Sequence, residues 1–155
     1  MKVPAPVQEA APKPPPEDEG ATIADFYRAV THAVRNMARS GAFDNPNGGK
    51  YNLMVTHVVN TTKNDVDVLD VAEKIRTEAA ASKKVTVVSG KREEGKKFIA
   101  PEISLSGRIT ERTGYVRGKR RQEYYLQLNL ADARTGTALS EAVVPVVVRQ
   151  AEPAP

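Results

Sequence analysis

From Tyr124 to Leu130 the chain alternates with a strict period of two. Tyr124, Leu126, Leu128 and Leu130 interleave with Glu123, Tyr125, Gln127 and Asn129. That period puts the first set on one face of a strand and the second on the other. One buried and one wet face mean a sheet covered on a single side. The neighbouring segments repeat the pattern. In Ile103–Thr110, Ile103, Leu105 and Ile109 alternate with Ser104, Ser106, Arg108 and Thr110. Gly107 falls on the apolar side, where a strand glycine marks a bulge or a close approach. In Ala138–Arg149, Val144, Val146 and Val148 share a face. Pro145 cannot donate to a ladder, so this strand is expected at an edge or at a bulge. A tight Arg134-Thr135-Gly136 turn joins the last two strands, Gln122–Ala131 and Ala138–Arg149. A short basic loop, Gly114–Arg121, joins the first two. Such a meander is scaffold, with a face and a charged edge for binding.

Upstream, Thr22–Ser40 is predicted as a helix. Thr22 and Asp25 form an acidic capping box. Ile23, Phe26, Val30, Val34 and Met37 make one apolar stripe, and Ser40-Gly41 stops it. Asn45–Lys50 is a turn, because it lacks the GxxxxGK spacing and precedes a strand where a phosphate loop needs a helix. Tyr51–Val59 follows as an interior strand. Leu53, Val55, His57 and Val59 are expected on one face, and Met54 and Val58 on the other. A second helix begins near Asp65 or Asp67 and runs to about Ala81, burying Val68, Leu69, Ala72, Ile75 and Ala79. Val85–Ser89 is a short strand, and strand–helix–strand implies a parallel right-handed crossover. Gly90–Lys97 is a charged loop or frayed turn. The fold class is therefore α/β, a mixed sheet of about five strands with helices packed on one face. Residues 1–20, rich in Pro, Ala and Glu, read as a disordered Pro-rich linker. Residues 21–150 read as one globular domain and 151–155 as a loose tail.

Catalysis finds no footing here. There is no cysteine and only two histidines, His32 and His57. GxSxG, HExxH and GxGxxG are absent. The acid pairs Glu93-Glu94 and Asp65/Asp67 lie in solvated stretches, where pKa values shift little. No enzyme activity, cofactor or metal is expected. No apolar run is long enough to span a membrane, and no signal peptide is visible.

Charge is the remaining signal. The whole chain is +4, but residues 1–20 set two cations against four acids, a net −2, which leaves +6 for the rest. Arg117, Lys119, Arg120 and Arg121 supply four of those charges, with Tyr115, Tyr124 and Tyr125 close in sequence. A cationic, tyrosine-bearing loop suits an acidic protein surface, nucleic acid through residues 117–121, or plain solvent.

One ordered set of segments carries a resemblance. Asn52–Thr62 followed by the Asp67–Ala81 helix resembles the strand, N-x-T and acid-capped helix of LpoB-type lipoproteins. Ala100-Pro101-Glu102-Ile103-Ser104-Leu105-Ser106-Gly107-Arg108-Ile109 is similar to that family's Pro-acid strand. Gln122–Leu130 and Asp132–Gly136 are similar to its next strand and its Thr-Gly turn. The resemblance implies a fold like the N-terminal domain of TolB. It implies a non-catalytic periplasmic regulator, held to the outer membrane by a lipidated cysteine upstream of this sequence. It further implies docking on the regulatory domain of a bifunctional penicillin-binding protein, with stimulation of peptidoglycan synthesis and no nucleic-acid partner. Partner contacts are expected at Arg108, Arg117, Lys119, Arg120, Arg121 and Tyr125. An envelope-assembly lipoprotein without activator role is the structural alternative.

Overall fold

The computed structural model describes residues 21–148. The expected linker (1–20) and tail (151–155) lie outside them. Helix α1 spans Ile23–Arg39 and α2 spans Val68–Ala81. Strands β1 (Tyr51–Asn60), β2 (Val85–Val87), β3 (Ile103–Val116), β4 (Lys119–Asp132) and β5 (Ala138–Val146) form one sheet, in the order β2-β1-β3-β4-β5. β1 is parallel to β2 and β3, whereas β3, β4 and β5 are antiparallel neighbours. The mixed five-stranded α/β reading holds.

The helix ends form as their sequence dictates. The Thr22 side chain accepts from Asp25 N–H, and Asp25 accepts from the Thr22 N–H at 2.9 Å. At the other end Ala42 N–H bonds Met37 carbonyl and Gly41 N–H bonds Ala38 carbonyl, with Gly41 at φ +86°. This double closure needs a left-handed residue, which glycine supplies without strain. α2 is capped by Asp67, whose carboxylate accepts from Leu69 and Asp70 N–H. Two expected stripe members fail. Ile23 is 39% exposed and Leu69 77% exposed. Leu69 is turned about 100° away from Val68 on the helix wheel, so Val71 takes the buried place with Ala72, Ile75 and Ala79.

Phe26, Val30, Val34 and Met37 of α1 and Ile75 of α2 meet Leu53, Val55, Leu105, Ile109, Leu126, Leu128 and Leu130 in one core behind the sheet. β1 departs from the expected alternation. Its register against β3 shifts between Val55 and Val58. A bulge adds one residue and reverses the phase. Val58 therefore points into the core, while Val59 and His57 are exposed. The expected grouping of His57 and Val59 with Leu53 and Val55 on one face is overturned. Gly107, beside that bulge, faces the core as expected. Pro145 sits on β5, an edge strand.

β1 and β3 are parallel neighbours, so the connection from β2 to β3 crosses over β1. Because α2 occupies the core side, a right-handed return runs over the front. Gly90, at φ +72°, lies against the Met54 side chain there, leaving no room for a Cβ. Arg92 stacks on Phe98 at 4.5 Å within this connection.

Candidate functional site

The segment Gly114–Arg121 is not a loop. β3 and β4 pair continuously from Ile103↔Asp132 to Val116↔Lys119, and a two-residue Arg117-Gly118 turn closes them. Arg117 at φ 53° and Gly118 at φ 79° both occupy left-handed backbone. A primed two-residue turn requires this and matches the twist of its strands. The expected basic loop is the end of a long hairpin arm. From Arg112 to Arg121 polar residues prevail on both faces, which hid these strand ends from the alternation rule.

Strand parity then separates the expected contact residues. Tyr124 and Leu126 face the helices, so Arg120, on the same parity, also points to the helix side, beyond the helices' reach. Lys119, Arg121 and Tyr125 face the front. Arg108, paired with Gln127, joins them one step diagonally from the Thr110↔Tyr125 pair. Arg117 occupies the tip. All five cations are exposed and Tyr125 is half-buried. The six residues do not form one patch: four share the front, one caps the arm, one lies behind it.

The structure adds Arg112 and Glu123. The Arg112 guanidinium donates to Glu123 at 3.2 Å and to the Tyr125 hydroxyl at 2.8 Å, and stacks over the Tyr125 ring at 4.9 Å. Glu123, then Tyr125, hold the Arg112 pKa above its ordinary value. Tyr125 is thereby braced flat on the front. Continuing the alternation of Arg108 past Thr110 would have found Arg112.

On the helix side the base of the arm is pinned. Tyr124 hydroxyl donates to the Asn64 side-chain carbonyl at 3.2 Å, and Asn64 donates to Ala21 carbonyl at 2.8 Å. Burial, then the nearby Glu111, push the Tyr124 pKa up. Glu111 accepts from Lys63 N–H and from Gln122. At the opposite end Asp132 accepts from Arg134 and Thr135 N–H, which lowers its pKa and shapes the Thr-Gly turn. Among the described residues no three His, Asp or Glu side chains gather to hold a metal. Among the described residues no helix is long and apolar enough to cross a membrane.

Fold and site define a class: a one-sided α/β domain, with core and helices behind the sheet and a polar, cationic front extended by an arm. The family model of the peptidoglycan-synthase activator LpoB matches residues 25–97 and 91–143. The chain belongs to that family. In fold it is similar to the LpoB C-terminal domain from Salmonella enterica, with a TM-score of 0.55 at 18% identity over 79% of this chain and 98% of that one. It is also similar to E. coli LpoB, with a TM-score of 0.52 at 19% identity over 94% of this chain and 80% of that one. Comparison with curated protein sequences finds no significant match. The family is one of activators rather than of catalysts.

Proposed function

We propose that this domain is a periplasmic regulator, tethered to the outer membrane through a lipid anchor, that docks on a bifunctional penicillin-binding protein and stimulates it. The observation that carries the reading is a cationic front on β3 and β4, beside the connection that crosses β1, with a braced tyrosine, on a domain of the activator family. Tyr and Arg are enriched among the residues that dominate interface energetics: Tyr buries a large area with few rotamers to lose, and Arg presents a planar fork of donors that matches a carboxylate. Docking uses Arg108, Lys119, Arg121 and Tyr125, supported by Arg112, with Arg117 at the arm tip. The partner offers an acidic surface. Activation is a population shift: the domain binds the active conformer of the synthase more tightly, and by no more than that difference can it raise the rate.

The test is reconstitution with the purified synthase. Glycan polymerisation should rise on adding the domain, and binding should weaken with salt. An unchanged rate at saturating domain would sink the reading.

A further inference from the structure

Charge is segregated along the arm. Its acids stop at the base, where each is engaged. Glu111 accepts from Lys63 N–H and from Gln122, and Glu123 pairs with Arg112 at 3.2 Å. Further out, from Thr113 to Gln122, there are four cations and no acid. None of the four has an ion-pair partner among the described residues, and all are exposed. They surround the arm rather than share a side. Lys119 and Arg121 face the front, Arg120 faces the helix side and Arg117 stands at the tip. Lys119 lies five residues beyond the pinned Tyr124, about 16 Å out at strand rise. Tyr115 is the cross-strand partner of Arg120 and is 71% exposed. An aromatic ring with a polar hydroxyl thus stands on the helix side of the arm, next to the tip.

The occupant must meet cations on both faces and on the tip at once. A rigid acidic protein surface meets one face. A single strand of nucleic acid needs a row of exposed rings on which successive bases stack, and the next ring inward on this side, Tyr124, is 5% exposed. A headgroup layer of anionic lipid is fluid and closes around a projecting arm. Each Lys or Arg near such a layer adds attraction. Tyrosine suits its boundary, with the ring among apolar groups and the hydroxyl wet.

We propose that the arm tip, through Tyr115, Arg117, Lys119, Arg120 and Arg121, inserts into the headgroup layer of an anionic phospholipid membrane. This contact goes beyond the docking reading and does not rest on it. A synthase seated on the front would cover Lys119 and Arg121 and leave Tyr115, Arg117 and Arg120 to the lipid.

Sedimentation of the full chain with vesicles tests the contact without a synthase. At about 50 mM salt, where screening is modest, the chain should sediment with vesicles of equal parts phosphatidylglycerol and phosphatidylcholine. It should stay in solution with phosphatidylcholine alone. R117Q/R120Q should lower the partitioning about 25-fold, at roughly fivefold per cation. K84Q/R134Q removes the same charge at the opposite end of the sheet and should leave the partitioning unchanged. The chain has no tryptophan, so Tyr115→Trp supplies a single reporter beside the tip. Its emission should shift to the blue on the anionic vesicles. No sedimentation with anionic vesicles, equal losses in the two double variants, or an emission that vesicles do not move overturns the insertion. Binding of a single-stranded oligonucleotide with none to vesicles also overturns it and assigns the cations to nucleic acid.

Discussion

Single residues decide more here through backbone and neighbours than through type. Two glycines illustrate it. Gly90 has φ +72° and faces the Met54 sulfur. Gly90→Ala should cost about 2 kcal/mol, combining left-handed strain with displacement of Met54. At Gly107 a Cβ would meet Val58, Leu128 and Ile75 at 3.4, 3.5 and 3.6 Å, ordinary contact distances. Gly107→Ala should therefore fall within about 0.5 kcal/mol of the native stability, whereas Gly107→Leu should cost about 1–3 kcal/mol by overpacking. Urea denaturation of the three variants checks the order. Glu78 links the helices, accepting from Thr31 at 3.1 Å and pairing with Lys74 at 3.0 Å. Burial alone would raise its pKa. The hydrogen bonds from Lys74 and Thr31, with the charges of Lys74 and Arg35, outweigh burial and lower it below 4.5. A carboxylate held down in the fold stabilises it fully above the unfolded value and less as pH falls through the folded one. Glu78→Gln should cost about 1 kcal/mol at neutral pH, with the gap closing below pH 4.5. A gap independent of pH would show that the charge plays no part.

At the scale of elements the arm is the main finding. Its turn depends on left-handed backbone at Arg117 and Gly118. Nothing lies within 4 Å of a Cβ at Gly118, so Gly118→Ala isolates the backbone cost, about 1–2 kcal/mol. Hydrogen exchange should then accelerate at Tyr115–Arg121 and stay unchanged at Leu105 and Leu128, because the arm opens locally without the core. The helices were legible in outline because Thr22, Asp67 and Gly41 are capping residues with a local mechanism. The inner strands were legible because Leu126, Leu128 and Leu130 report one covered face. The β1 bulge was not legible: Val58 and Val59 are the same residue type, and only the pairing with Gly107 and Arg108 shows which of them turns inward.

For the whole molecule, the covered and open sides of the sheet set how the proposed docking would distribute over the cations. Arg121 lies on the front and Arg120 behind the arm, although they adjoin in sequence. A partner seated on the front should lose affinity about tenfold on Arg121→Glu and shed part of its salt dependence. Arg120→Glu should have a smaller effect. Calorimetry of both variants against the synthase at two ionic strengths reads this directly, and equal losses would place the partner around the arm rather than on the face. The sequence by itself determined what depends on near neighbours: the caps, the period-two strands, the restriction of Pro145 to an edge or a bulge, and the excess of cations in Gly114–Arg121. Local geometry and desolvation follow from residues a few positions apart, so a linear reading reaches them. Only the tertiary structure decided the length of the arm, the phase of β1, the exposure of Leu69 and the bracing of Tyr125 by Arg112. Each of these depends on which strand or helix lies opposite. It is pairing across the sheet, between residues far apart in the chain, that sorts like cations onto different faces.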